Sequence, residues 1–328
     1  MRIPSPTLRG VLAVAAGAAV LATTACGGQT LSSANHDKSA APGGAPAAAT
    51  AKLATAPKED LAASVINEIQ PSTALAASVP DRLRTSGLKV TTSVGYPPME
   101  MVGTDGKTVI GVDASLSRAL ARVLGVDVSI TDQEFNTQIP GLLTGRFDMV
   151  LSSMTDNAER RGTVSFVDYV RAGNAFLVQT GNPSAVKMPA DVCGKTISVV
   201  DNGSSMFLAQ DMDKQCKADG KSAVNILKFD GDTEAILTVK SGRAAATITD
   251  YPVAVYRAAA NQSGLEAVGI SGGESPWGIG VDKKDAAFLS LTQKALQELI
   301  DSGAYGKILE AWGVQQMAVK SAVVNDGK

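Results

Sequence analysis

From residue 88 onward the chain alternates short β-rich runs with amphipathic helical runs. That order narrows the fold to a mostly parallel sheet covered by helices on both faces. Residues 88–94 read as a strand that ends in the turn Gly95-Tyr96-Pro97-Pro98, and 107–112 as a second short strand able to pair with it. Residues 113–124 put Leu116, Leu120, Val123 and Leu124 on one helical face, with Gly125 placed to close the helix. A strand over 126–130, a short helix over 137–143 and a buried strand over 147–151 follow, with Ser152-Ser153 at the last strand's end. The logic then repeats. Strand 196–200 runs into Asn202-Gly203-Ser204-Ser205 and a helix from Met206; strand 224–229, helix 233–240 and strand 244–249 come next. Asp250-Tyr251-Pro252 opens a further helix, and 285–302 carries Phe288, Leu291, Ala295, Leu296 and Leu299 on one stripe. Two α/β lobes are expected, with ligand-binding loops at the carboxyl ends of their strands.

The first 58 residues read differently. Arg2 and Arg9 precede an apolar run over 10–22 that is too short to span a bilayer with margin, and small residues then lead to Cys26. Residues 1–25 are a signal peptide on this reading. Thr23-Thr24-Ala25-Cys26 resembles a bacterial lipobox, with Thr23 departing from the branched or leucine residue usual there, and the resemblance implies acylation of Cys26. Residues 26–58 are poor in large apolar side chains and read as a flexible tether from that anchor. Residues 59–87 form an N-terminal helical extension, with Leu61, Val65, Ile66 and Ile69 on one face and Pro71 after them.

Composition removes whole classes of chemistry. The chain has one histidine, His36, and it lies in the tether. The folded part therefore lacks imidazole acid–base groups, Ser-His-Asp or Cys-His nucleophiles and histidine zinc sites. Thirty Lys+Arg against 32 Asp+Glu give a net charge of −2, which argues against a general nucleic-acid binder. Three cysteines cannot form an all-cysteine zinc site. No cofactor and no metal are expected.

Three segments carry recognition chemistry. Ser152-Ser153-Met154-Thr155 offers hydroxyls and loop amides, and Arg160-Arg161 follows within reach of an anion; an arginine forks onto a carboxylate with two parallel bonds. Solvation of a helix start is the plain alternative for either arginine. Gly203-Ser204-Ser205 before a helix is a second group of donors. Asp250, at a strand end, is a carboxylate able to receive an ammonium, or else an ordinary helix N-cap.

Short motifs recur around these segments in a fixed order. They are Tyr96-Pro97-Pro98-Met99-Glu100, Gly111-Val112-Asp113, Ile139-Pro140-Gly141-Leu142, Gly145-Arg146-Phe147-Asp148, Met154-Thr155-Asp156-Asn157-Ala158-Glu159-Arg160 and Phe166-Val167-Asp168-Tyr169. In the second half come Gly194-Lys195-Thr196, Gly203-Ser204-Ser205, Gly242-Arg243-Ala244 and Asp250-Tyr251-Pro252-Val253-Ala254. Over residues 88–313 this series resembles the polar amino-acid family of bacterial extracytoplasmic solute-binding proteins, family 3, which feed ABC importers. The resemblance implies an α/β, two-lobed periplasmic-binding-protein (type II) fold with a hinge between the lobes. Lobe 1 is expected over 88–172 and 279–316, lobe 2 over 173–278, and a C-terminal tail over 317–328.

The resemblance also implies roles. Arg160, rather than Arg161, falls where the family clamps the ligand carboxylate, with Ser153 and Thr155 beside it. Ser204 and Ser205 add donors from the second lobe, Asp250 receives the α-ammonium, and Tyr96 and Phe135 flank the ligand side chain. Asp156, Asn157 and Ala158 depart from the family's Ile-Thr-Pro. Ser93 stands where relatives taking cationic ligands carry Asp, so a neutral polar ligand side chain is expected, glutamine-like before arginine or lysine. Should a cation bind instead, Asp132, Glu134 and Glu274 are the carboxylates to examine. Cys193 and Cys216 flank strand 196–200 and its helix; export to an oxidising compartment favours a disulfide over two buried thiols.

The expected protein is thus a monomeric lipoprotein on the outer side of the cell membrane. Its partners are an amino-acid ligand, an ABC transporter permease and, through the lipid anchor, the membrane, with no nucleic acid. It does no chemistry: two lobes close on the ligand by hinge bending. The alternative is a cyclohexadienyl-dehydratase-like lyase on the same fold, against which Asp250 and the missing histidine argue.

Overall fold

The computed structural model describes residues 56–260 and 263–327 of the 328-residue chain. The expected signal peptide, nearly all of the tether and Cys26 lie outside the described residues.

The chain enters through two short helices, α1 (Ala63–Glu68) and α2 (Asp81–Ser86), whose buried Ile66 and Leu83 join the first lobe's core. The expected extension is therefore part of that lobe's packing. Strand β1 (Leu88–Thr92) follows, then the two-stranded hairpin β2 (Met101–Val102) and β3 (Val109–Ile110). Residues 107–112 were expected to pair with 88–94. The Tyr96 turn instead folds the chain back, with the N–H groups of Gly95 and Tyr96 donating to the Glu100 carbonyl, so β3 meets β2.

Helix α3 (Val112–Leu124) buries Leu116, Leu120, Val123 and Leu124 and ends on Gly125 in the left-handed region, at φ 66°. Its apolar face explains why it sits on the sheet: burying each side chain of this size stabilises the fold by roughly 1.5–3 kcal/mol. Strand β4 (Val128–Asp132), helix α4 (Gln138–Leu143), β5 (Met149–Val150) and the long β6 (Val164–Ala172) complete this half. β4 and β5 lie parallel to β1 on either side of it, as the strand–helix order requires.

The chain crosses at Gly173 into a second sheet of β7 (Asn174–Gln179), β8 (Thr196–Val200), β9 (Asn225–Phe229), β10 (Ala246–Asp250) and β11 (Leu265–Gly269). The strand order is β11-β7-β10-β8-β9, with β8 parallel to both β9 and β10. Helices α5 (Ser204–Ala218), α6 (Asp232–Lys240) and α7 (Tyr251–Ala259) cover it. One face packs Phe176, Val199 and Ile248 on Met206 and Met212; the other packs Ala175 and Leu177 on Ile236, Val239 and Ala254.

The return crossing runs over 270–274 into β12 (Ser275–Asp282), which pairs antiparallel with β6 along its whole length. Residues 275–278 therefore belong to the first sheet, not to the second lobe as expected. Helices α8 (Ala286–Asp301) and α9 (Ala304–Ala311) pack on α3 and the first sheet. Residues 318–324 are not a tail. They form strand β13 (Ala318–Val324) at the edge of the first sheet, whose order is β13-β6-β12-β5-β1-β4.

Candidate functional site

The carboxyl ends of β1, β5, β8, β9 and β10 converge on one cleft between the sheets. Seven of the eight expected ligand residues line it: Tyr96, Phe135, Ser153 and Thr155 from the first lobe, and Ser204, Ser205 and Asp250 from the second. Arg160 does not line this cleft. It lines the adjoining opening with Phe135 and Asn202, and its guanidinium carbon lies 5.2 Å from the Phe135 ring centre.

Arg160 is held by its own loop. Its backbone N–H donates to Asn157 Oδ1 at 2.9 Å, Nη1 donates to the Thr155 carbonyl at 2.8 Å, and Nη2 reaches across to the Asn202 carbonyl in the second lobe at 2.6 Å. Those two carbonyls occupy two of the five donors a guanidinium carries, so three N–H groups remain. Burial lowers its pKa to about 10, opposed by Glu159 and Asp250, and it stays charged at neutral pH. Arg161 is not a solvated spectator. Its Nη1 sits 3.1 Å from the buried Asp156 carboxylate and donates to the Gly327 carbonyl, tying the C-terminus to this loop.

Asp250 occupies the N-cap place of α7 but makes no capping bond with its side chain. Its Oδ2 instead accepts from Tyr96 Oη at 2.6 Å, while the Asp250 N–H and Thr249 Oγ1 both lie 3.1 Å from the same phenol oxygen. Burial pushes Asp250 up to about 7; the Tyr96 bond opposes this, Asp232 adds to it, and Arg160 opposes it. A group so placed gains on meeting a cation.

Behind the cleft lies a buried acidic network. Asp113 Oδ2 accepts from the Ser153 N–H at 2.7 Å and from its hydroxyl at 3.1 Å, and Tyr169 Oη donates to Oδ1 at 2.7 Å. These bonds hold Ser153 in the left-handed region, at φ 49°. Ser153 Oγ also lies 3.3 Å from Glu100 Oε2. Burial first, and then the neighbouring Asp113, push the Glu100 carboxyl well above its ordinary range.

Several cleft residues escape sequence reasoning. Glu100 lines the wall although the turn motif gives it no ligand role; Asp232 and Thr249 line it too. Asp232 Oδ2 pairs with Arg257 at 3.3 Å. Only a charge in the first turn of a helix marks Asp232 in the sequence, and many helices carry one. Of the carboxylates held in reserve for a cation, Asp132 and Glu134 line a second opening with Asp201, Asp230 and Glu234, sharing Ser93, Val94 and Gly231 with the cleft. Glu274 lines neither opening. Among the described residues no cluster suits a metal ion, and no helix is long and apolar enough to cross a membrane. Cys193 and Cys216 form a disulfide, with their Cα atoms 5.5 Å apart.

Two sheets joined by two crossings, with facing strand ends enclosing a polar cleft that offers both signs of charge, define a solute-binding protein that closes around a small ligand. The chain belongs to the bacterial extracellular solute-binding proteins, family 3, the match covering residues 88–315. It is 30% identical over 260 residues to the arginine-binding protein ArgT of Corynebacterium glutamicum, covering 78% of this chain and 84% of that one. Among solved structures, an ancestral arginine-binding protein bound to glutamine superposes with a TM-score of 0.63 at 35% identity, covering 69% of this chain and 97% of that one. The ancestral amino-acid-binding protein AncCDT-1, a precursor of cyclohexadienyl dehydratase, matches with a TM-score of 0.63 at 31% identity, covering 71% and 98%. The chain is thus an extracytoplasmic amino-acid-binding component of the ABC-importer type, and at family level its relatives are binding proteins rather than enzymes.

Proposed function

We propose that the protein is the lipid-anchored receptor of an amino-acid importer. It works as a monomer, is held at the membrane through acylated Cys26, and captures one α-amino acid without transforming it. The observation that carries this reading is the buried pair of opposite charges around Phe135: Asp250 in the cleft wall, and Arg160 in the adjoining opening that shares Phe135 with the cleft. Asp250 takes the ligand ammonium. Arg160 takes its carboxylate, helped by Thr155, Ser204 and Ser205. A zwitterion leaving water needs both charges met in this way.

For the ligand side chain we favour arginine. Glu100 and Asp232 are carboxyls in the cleft wall, and the contiguous opening carries Asp132, Glu134, Asp201, Asp230 and Glu234 against one lysine, Lys228. Such a field draws cations in. Two of the similar proteins are named for arginine. The neutral, glutamine-like ligand expected from Ser93 is the second reading. It is supported by the pairing of Asp232 with Arg257 and by the burial of Glu100, which disfavours its charged form; both lower the negative charge of the wall.

A lyase role on this fold is tested alongside. Calorimetric titration with the common amino acids, plus a dehydratase assay, separates the readings: tight binding without turnover supports a receptor, and turnover contradicts it. Mass spectrometry of the mature N-terminus and fractionation of Cys26→Ser test the anchor; an unlipidated wild-type chain contradicts it.

A further inference from the structure

The helix that follows Asp250 reaches back onto the first lobe. In α7, Tyr256 is buried in the first lobe's apolar cluster, its hydroxyl 4.0 Å from Met101 Sδ. The next residue, Arg257, donates from Nη2 to the carbonyl of Gly95, in the β1 turn that positions Tyr96. The same nitrogen lies 3.3 Å from Asp232 Oδ2 and 3.4 Å from Thr233 Oγ1, both in the second lobe. Gly95 itself, at φ 111°, sits so close that a Cβ there would be 3.4 Å from Thr233 Oγ1.

We infer that Arg257 is a positioning residue for ligand capture: a latch, preset in the second lobe by Asp232, that engages the Gly95 carbonyl when the lobes close and so holds the ligand in. The inference rests on the amino-acid-capture reading. Its logic is geometric. Asp232, Thr233 and Arg257 share one lobe, so their mutual contacts persist whatever the lobes do. The bond to Gly95 crosses between lobes and exists only when they meet. Arginine suits the place because Nη2 carries two N–H donors and the group stays charged, so one nitrogen serves acceptors of both lobes at once. The latch lines no part of the cleft, while its two anchors, Gly95 and Asp232, both do. One guanidinium thus joins a contact between the lobes to two residues of the binding wall, beside the Tyr96–Asp250 and Arg160–Asn202 bonds that also cross.

A latch acts after encounter. It slows ligand escape and leaves entry almost unchanged. The test is stopped-flow binding of L-arginine and of L-glutamine to the full chain, purified in detergent, as wild type, Arg257→Gln and Arg257→Lys, with thermal melting to verify folding. Loss of a hydrogen bond from a charged donor predicts a dissociation rate about ten- to a hundredfold faster in Arg257→Gln. The association rate should change by less than about threefold, and Arg257→Lys should recover part of the loss. An unchanged dissociation rate, or a loss confined to association, overturns the inference. If Arg257→Gln does not fold, Arg257→Lys carries the test, and wild-type dissociation kinetics in it overturn the latch. If the wild type binds no amino acid, the capture reading fails separately. The latch is then judged by small-angle scattering of the free proteins: a larger radius of gyration in the variant supports it, and an unchanged one overturns it.

Discussion

Tyr96 and Asp250 meet across the two lobes through a 2.6 Å hydrogen bond from the phenol to the carboxylate. One bond thereby joins the turn after the first strand of the first sheet to the strand end that offers the ligand an anion. It orients Asp250 while leaving Oδ1 for an ammonium, and it explains why the N-cap reading of Asp250 fails: the side chain turns into the cleft. Tyr96→Phe removes a donor to a charged acceptor and is expected to weaken amino-acid binding about tenfold or more, with the fold retained. Titration calorimetry and a melting curve check both halves.

Arg160→Ala is expected to remove binding almost completely. Stranding the partner of a desolvated charge costs about 3–5 kcal/mol, or roughly two to three decades in affinity. Arg161→Ala acts by another route, since its guanidinium ties buried Asp156 to the C-terminal Gly327. It should lower the melting temperature and weaken binding only modestly. The two variants, compared by melting and by affinity, should give opposite patterns.

Stability should fall as pH rises from about 5 to 8. Burial is the largest cause that pushes Asp250 and Asp168 up to about 7 and Asp113 up to about 6. The unfolded chain releases these protons near pH 4, so the folded state binds more protons between about 4 and 7. This stabilisation is complete below the unfolded values and is lost as pH rises through the folded ones. Ligand affinity should run the other way, strengthening as pH rises through about 7 because an ammonium needs Asp250 ionised. Calorimetric melts at pH 5 and 8, and titrations across the same range, read both slopes.

Replacing Cys193 and Cys216 by serine should destabilise the protein by roughly 3 kcal/mol, from the chain entropy of a loop with a 23-residue separation. Amino-acid affinity should hold. The disulfide lies at the start of β8, and the cleft at its far end, about 17 Å away for five residues of strand. Denaturant unfolding with and without ligand tests this.

Much of the site is readable in the sequence because strand ends and helix starts carry its hydroxyls and charges in order. Ser153, Thr155, Ser204, Ser205 and Asp250 come from such junctions and converge as expected. What local pattern does not encode is long-range pairing. β13 buries only Ala322 and carries Lys320 and Ser321 at its middle, and only docking on β6 makes it a strand. Residues 107–112 look able to join the first strand, yet the Tyr96 turn sends them to a hairpin. Arg257 looks like any basic residue late in a helix until the opposite lobe supplies the Gly95 carbonyl. Arg160 is buried as a clamp would be but lines the adjoining opening, where Nη2 donates to the Asn202 carbonyl, a contact between loops that the sequence does not encode.

The most direct measurement is isothermal titration of the purified full chain with L-arginine and L-glutamine, run in parallel on Asp250→Asn. The account predicts one-to-one binding to the wild type, with arginine tighter, and a loss of at least about a hundredfold in the variant, whose neutral amide cannot pair the ammonium. Wild-type-like binding of either amino acid to folded Asp250→Asn would contradict it.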